Sequence, residues 1–396
     1  MPAPLNFHIL FVEGGLPSPQ VDAGSLANLE FIALIQSQGH RVTYLYTGYH
    51  SMGSSKELIE LGCTVINGVS LVRDQQVALL KAHAIEAAIL SRPGPALQWI
   101  DALKVGAVPI VYFGHDVHHV RLERAHAFNL PHSHQSKSLQ SYLVHKSIEG
   151  YLWKMADVVV YPTRWECDYA MARSGRMHAV PMPIYDVESM AHLQHQISNS
   201  TNQSKNTTTQ YPLLFIGGSQ HAPNFDGIMW FVRDVVPRLS LPIELRVVGQ
   251  WDSKAQQQLK EVARASLGER SHLTMCGSVT LNELVRHYEA AALVIAPLRY
   301  GAGLKRKVVE ALMFKRPLLT TPIGLEGIEL DLTQLAHVCS QLDPAQFAKA
   351  LETHLTLPSE VHLSQSQALA KQVALQFSRA QRLESLAQIF AMLRVH

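Results

Sequence analysis

The chain has 396 residues, enough for two or three domains, and its 47% hydrophobic and 17% charged content excludes disorder and collagen-like structure. Lys+Arg 34 against Asp+Glu 32 leaves a net charge of +2, so there is no bulk electrostatic case for nucleic acid as a partner. The four cysteines, Cys63, Cys167, Cys276 and Cys339, lie far apart without a C-x-x-C pair, which speaks for a reducing compartment and against a zinc site or a disulfide framework.

In chain order, His8-Ile-Leu-Phe-Val12 reads as a buried strand and Gly14-Gly-Leu-Pro-Ser-Pro-Gln20 as a loop, since its glycines and prolines permit nothing regular. Apolar positions 26, 29, 32, 33 and 35 give a helical face over Ser25 to Gln38, stopped by Gly39. Further strands are expected at Arg41–Tyr46, Thr64–Ile66, Ala88–Leu90, Pro109–Phe113 and Val158–Tyr161. Nearly continuous apolar strands alternating with helices imply a parallel sheet covered on both faces. Gln196 to Gln210 is almost wholly Ser, Thr, Asn and Gln; it cannot bury a core and reads as a linker or long surface loop. Its N-x-Ser/Thr triplets at Asn199, Asn202 and Asn206 read as polar low complexity.

The alternation then repeats: a strand at Pro212–Ile216, Gly217-Gly-Ser and a helix through Phe231, and strands at Glu244–Val248, Leu293–Ala296 and Leu318–Thr321, with a helix expected from Leu304. Ser364 to Val395 reads as helical and polar enough to pack across a surface. The fold class is therefore α/β, two doubly wound halves, with a ligand expected in the cleft where strand C-termini open. The division expected is an N-terminal lobe over 1–190, a linker over 191–211, a second lobe over 212–375 and a C-terminal helix over 376–396 that could cross back to the first lobe. No run reaches the ~18–20 apolar residues of a membrane span. The first residues lack a basic n-region, so a cytoplasmic location is expected.

The densest chemistry lies in Ala296-Pro-Leu-Arg-Tyr-Gly-Ala-Gly-Leu-Lys-Arg-Lys-Val-Val-Glu-Ala311. A strand, a Gly-Ala-Gly turn and a helix start present unpaired N–H groups at the positive dipole end, which can hold a phosphate. Gly301 and Gly303 allow close backbone approach, and Lys305 and Lys307 add charge. Glu310 suits a ribose diol, or it pairs with Arg306 at i, i+4. Lys305 and Lys307 stand about 200° apart on a helix, so they should not reach one phosphate. Lys305, nearer the dipole end, is the expected ligand.

This segment resembles the nucleotide-sugar signature of family 4 (group 1) glycosyltransferases, in the subgroup reading P-L-x-x-G-x-G-x-K-x-K-V-x-E-A. Leu214-Phe-Ile-Gly-Gly-Ser-Gln-His-Ala-Pro-Asn-Phe-Asp-Gly227 is similar to the opening of that family's C-terminal lobe, and Val248-Gly and Cys276-Gly-Ser-Val279 stand at its intermediate positions. Ile9-Leu-Phe-Val12, Pro17, Asp22-Ala-Gly-Ser25, Gly39-His-Arg-Val42 and Val111-Tyr-Phe-Gly-His-Asp-Val-His118 are similar to its first lobe. The resemblance covers most of residues 8–330. It implies the GT-B fold of two Rossmann-like lobes and a retaining transfer of sugar from a nucleotide-sugar donor to a glycan, lipid-linked or protein acceptor. No cofactor and no metal are implied, because the nucleotide sugar is a substrate; peripheral membrane contact is allowed, and no nucleic acid partner is expected.

Residue by residue, the resemblance assigns Glu310 to the second carboxylate of the E-x7-E motif, which contacts ribose. Ala302 stands where the first carboxylate would be, so sugar contact is expected from the backbone of Ala302 to Leu304. Lys305 and Lys307 match the K-x-K, one of them neutralising the leaving diphosphate. Gly14 and Gly15 stand at the glycine loop near the donor diphosphate. Gly218, His221 and Asn224 stand at the loop-to-helix junction of the second lobe, with Asp226 beside them as a ligand contact or a helix cap. His115 stands for the histidine that contacts the transferred sugar, and Asp116 would orient it or bind hydroxyls. His118 and His119 invite a metal without a supporting cluster, and Arg121 and Arg124 read as a solvated helix face in preference to one turned to an acceptor phosphate or a membrane headgroup. Two other readings are kept: a nucleotide-sugar epimerase of the same fold, and a catalytically silent GT-B module, which Ala302 favours. A dinucleotide oxidoreductase is disfavoured, since no G-x-G-x-x-G follows either lobe's first strand.

Overall fold

The computed structural model describes residues 6–18, 23–48, 53–128, 132–175, 178–187, 211–330 and 342–393. The polar stretch over 196–210 with its Asn triplets, and Cys339, lie outside the described residues. The chain divides into two compact units: Met1–Tyr185 with Arg379–His396, and Asp186–Ser378.

In the first unit, β1 (His8–Glu13), β2 (Arg41–Tyr46), β3 (Thr64–Asn67), β4 (Ala87–Ser91), β5 (Ile110–Phe113), β6 (Val158–Tyr161) and β7 (Ala179–Pro181) form a seven-stranded sheet in the order β3-β2-β1-β4-β5-β6-β7. All its pairings are parallel. The helices are α1 (Ala23–Ser37), α2 (Lys56–Glu60), α3 (Arg73–Ala82), α4 (Pro93–Val105), α5 (His118–Ala127), α6 (His132–Met155) and α7 (Arg164–Ser174). β1 is buried at all six positions, as a strand covered on both faces must be. Trp99, Trp153 and Tyr112 fill the core on one side of it.

In the second unit, β8 (Tyr211–Ile216), β9 (Ile243–Val248), β10 (His272–Gly277), β11 (Leu293–Ala296) and β12 (Leu318–Thr320) form a five-stranded parallel sheet in the order β10-β9-β8-β11-β12. Its helices are α8 (Ala222–Trp230), α9 (Ser253–Ser266), α10 (Leu281–Ala290), α11 (Arg306–Met313), α12 (Pro344–Leu355) and α13 (Ser359–Gln376). α8 runs on through a π turn at Phe231–Val235 into a 3-10 turn at Val236–Arg238, where Pro237 has no N–H to continue the ladder. β10 escapes sequence reading because it is an edge strand with exposed His272 and Thr274 and no apolar run.

Two expectations are corrected. The helix expected from Leu304 starts at Arg306: Gly303 has φ +72 and Lys305 is extended at φ −98, ψ 100, conformations no α-helix contains. The C-terminal stretch breaks at Phe377 into α13, in the second unit, and α14 (Arg379–Leu393), in the first. α14 is more than a surface strap, since Leu386, Ile389, Phe390 and Leu393 are buried. Phe390 stacks on Phe7 at 5.5 Å, and Arg382 donates to the Glu30 carbonyl at 3.3 Å.

Each sheet has one point where strand order reverses, between β1 and β4 and between β8 and β11. In parallel sheets the C-terminal strand ends at that point are where ligands bind. Glu13-Gly-Gly15 and Ser91-Arg92 stand at the first; Gly217-Gly218 and Pro297–Gly303 stand at the second.

Among the described residues, no helix is long and apolar enough to cross a membrane. Cys63, Cys167 and Cys276 are free thiols; burial pushes Cys63 up to about 11 and Cys167 up to about 12.

Candidate active site

The second unit gathers most of the candidate residues. β8 ends in Gly217-Gly218, and α8 begins after His221, whose carbonyl accepts from the Asn224 amide at 2.8 Å. Both glycines are demanded by space. A Cβ on Gly217 would lie 2.7 Å from Asn224 Cγ and 2.9 Å from Lys307 Nζ, and one on Gly218 would lie 2.8 Å from the Gln250 carbonyl. Trp251 Nε1 donates to the Gly217 carbonyl at 2.8 Å, tying this turn to the end of β9.

Lys307 reaches into this turn. Its Nζ donates to Asn224 Oδ1 at 2.6 Å and lies 4.7 Å from the centroid of the Phe215 ring, while Asn224 Nδ2 lies 3.4 Å from the Gly218 carbonyl. Burial of the ammonium, with the Glu310 charge raising it and Lys305 lowering it further, brings Lys307 down to about 7. Its partners here are a neutral amide and a ring face, and neither neutralises it as a carboxylate would.

Lys305 points elsewhere. Its Nζ donates to the Gly303 carbonyl at 2.5 Å and lies 3.3 Å from Glu326 Oε2. The two lysines diverge, Lys305 from extended backbone ahead of α11 and Lys307 from its first turn, and Lys305, the expected diphosphate ligand, has a carboxylate partner. Gly301 and Gly303 both have positive φ, at 151° and 72°, so the turn needs them whatever it binds. Ala302 is partly exposed on that turn and Leu304 is buried. Thr320 and Thr321 donate to the carbonyls of Ala296 and Leu298, pinning the segment that leads into it.

Glu310 is 3% exposed and both its oxygens are engaged: Arg306 Nε donates to Oε1 at 2.5 Å and the Tyr288 hydroxyl to Oε2 at 2.8 Å. The i, i+4 pair open from sequence is thus present, and Tyr288 is an added buried partner. Asp226 is not a helix cap; it lies within α8 and pairs through both oxygens with Arg299. Sequence reading passed over Arg299, Glu326 and Tyr288. Arg299 and Glu326 flank the glycine turn, but their partners lie 73 and 21 residues away, beyond any local pattern.

The first unit holds the remaining candidates. The Gly14 amide donates to Glu13 Oε1 at 2.7 Å, and the Gly15 carbonyl accepts from the Tyr44 hydroxyl at 2.6 Å. His115 Nε2 lies 2.9 Å from Ser91 Oγ. Asp116 accepts from Arg121 Nε at 2.7 Å and lies 3.0 Å from His118 Nδ1. His119 Nδ1 lies 2.6 Å from Glu149 Oε2 and its Nε2 lies 3.0 Å from the Tyr169 hydroxyl, so both nitrogens serve packing. Glu149 also accepts the amides of His118 and His119, capping α5. Burial lowers His118, but the Asp116 carboxylate and its hydrogen bond outweigh this and the net shift is upward. Arg121 and Arg124 are not merely solvated: Arg124 lies over the Trp165 ring at 5.6 Å. Among the described residues no group of three or more His, Cys, Asp or Glu is placed to hold a metal ion.

Residues 210–356 match the sequence model of a family described as Glycosyl transferases group 1. An uncharacterized 44.6 kDa protein in the cps region of Klebsiella pneumoniae is 26% identical over 118 residues, 29% of this chain and 30% of that protein's length. Among solved structures, sucrose-phosphate synthase from Thermosynechococcus elongatus superposes with a TM-score of 0.75 at 14% identity, covering 98% of this chain and 100% of that one. Anabaena HepE, solved in complex with UDP and glucose, superposes with a TM-score of 0.69 at 13% identity, again covering 98% and 100%. At such identities the superpositions establish architecture alone. The chain has the GT-B fold of two Rossmann-like lobes, and its matched segment, 210–356, carries the likeness to glycosyl transferases of group 1.

Proposed function

We propose that the protein is a glycosyltransferase that takes its sugar from a nucleotide-sugar donor and transfers it, with retention of configuration, to a glycan, lipid-linked or protein acceptor. The observation that carries this reading is the Lys307 ammonium, poised against Asn224 and the tightly packed Gly217-Gly218 turn at a strand switch point, inside the segment matched to group 1 transferases. A half-buried cation bonded to an amide and set over a ring face, with no carboxylate in hydrogen-bond contact among the described residues, suits a diphosphate, whose charge would complete its solvation. We assign the leaving diphosphate to Lys307, in preference to Lys305, with the positive dipole end at the start of α11 beside it. Glu310 would contact ribose while keeping Arg306 and Tyr288, and His115 would act on the transferred sugar. HepE's complex with UDP and glucose makes UDP-sugars the first donors to test.

The test is a panel of UDP-, GDP-, dTDP- and ADP-sugars, followed by melting temperature and by release of free nucleotide. A true donor at one hundred times its Kd should add about 2.7 kcal/mol of stability and be slowly hydrolysed. Release of an epimerised free sugar without acceptor would replace transfer by epimerisation. Binding without turnover, with any acceptor offered, would favour a silent binding module. No stabilisation by any member would overturn the assignments of Lys307 and Glu310.

A further inference from the structure

The first unit holds a buried polar cluster that the proposed reaction leaves unused. Glu13, at the end of β1, is 6% exposed. Its Oε1 accepts from the Gly14 amide at 2.7 Å; its Oε2 accepts from Asn28 Nδ2 at 2.6 Å and from Ser91 Oγ at 2.6 Å, with Arg92 Nε at 3.4 Å. Three elements converge on this carboxylate: α1 through Asn28, β4 through Ser91, and the start of α4 through Arg92. Arg92 has φ +68, which side-chain-bearing residues rarely adopt, and such strain persists only where the surroundings over-determine it.

Ser91 Oγ also lies 2.9 Å from His115 Nε2. A hydroxyl has one proton to give. The short contact to Glu13 takes it, since the other acceptor, Asn28 Oδ1, is at 3.4 Å. Ser91 must then accept from His115, which requires the proton on Nε2. In the neutral ring the lone pair is then on Nδ1, which faces Gly24, where a Cβ would stand 3.3 Å away.

We propose that Glu13 is a positioning residue for His115: through Ser91 it selects the Nε2–H tautomer, while its other oxygen holds the Gly14 amide, so one buried carboxylate sets two of the first unit's candidates. The role in transfer rests on the reading of His115 as the group acting on the sugar; the tautomer does not.

The test uses the full chain with 15N-labelled histidine, reading two-bond ring correlations above the histidine titration range, with His115→Gln to assign the signals. The wild type is expected to show His115 as a single Nε2–H form. Ser91→Ala should bring in the second tautomer and, with a productive donor, lower kcat about tenfold with donor KM within about twofold. Ser91→Thr, which keeps the hydroxyl, should restore both readouts. Glu13→Gln, whose amide can donate to Ser91, should drive the ring towards Nδ1–H. An Nδ1–H ring in the wild type, or Ser91→Ala with wild-type ring signals and turnover, would overturn the proposal. If the wild type turns over no sugar nucleotide, the transferase reading fails, and the ring signals still decide the Glu13–Ser91–His115 link.

Discussion

The pH dependence of donor binding gives the sharpest check on Lys307. Its ordinary value of 10.5 falls to about 7 in the free protein, chiefly by burial. A bound diphosphate would restore the charge and raise it again. The sign follows: affinity is at its plateau below pH 7 and is lost as pH rises, because the competent, protonated form becomes scarce. At pH 8 about one molecule in ten is protonated, and each further unit costs about another tenfold in apparent Kd, or about 1.4 kcal/mol. Calorimetric titration of a UDP-sugar between pH 6 and 9 reads this directly, since a diphosphate diester does not change charge in that range. Lys307→Met should weaken binding at pH 6 by about 1.5–3 kcal/mol, the worth of a hydrogen bond to a charged group, and flatten the profile. Glu310 and Lys305 also act on this ammonium, and His221 opens the neighbouring helix, so His221→Gln serves as the control and should leave the slope intact. A flat wild-type profile, or a slope that survives in Lys307→Met, would refute the argument.

Gly217→Ala should weaken donor binding by driving Asn224 and Lys307 apart, its new Cβ falling 2.7 Å from one and 2.9 Å from the other; melting should show a fold cost of about 1–3 kcal/mol. Glu310→Gln deprives Arg306 of its buried partner, so urea denaturation should show a loss of about 3–5 kcal/mol whether or not a nucleotide binds. His118 is raised above 6.5 in the folded state, so its stabilisation is present in full below pH 6.5 and is lost as pH climbs through the raised value; His118→Gln should remove that slope from stability measured between pH 5 and 8. Phe390→Ala empties the contact with Phe7 and His40 and should cost about 3–5 kcal/mol in chemical denaturation, despite lying in the last helix of the chain.

The alternation of apolar strands and amphipathic helices was enough to read two parallel α/β halves, because a strand buried on both faces must be apolar throughout. β1, β2, β6 and β11 fall on or within a residue of the runs expected for them. The glycine turns were equally legible, since Gly303 at φ +72 and the crowded Gly217 leave no room for another residue. Sequence reading also separated Lys305 from Lys307, though by a helical angle that Lys305, extended ahead of α11, does not follow. What it did not decide was which of them meets a carboxylate, because Glu326 and Asn224 are brought in by chain crossings of 21 and 83 residues. The same holds for Arg299 with Asp226, for Tyr288 on Glu310 and for Ser91 between Glu13 and His115. β10 was obscured for a related reason: an edge strand shows its apolar side only once a partner surface exists. Sequence by itself determined the architecture and the glycine turns, which depend on local period and backbone sterics. The tertiary structure alone decided which charges meet a carboxylate and which meet a neutral partner, because that depends on desolvation and on partners distant along the chain.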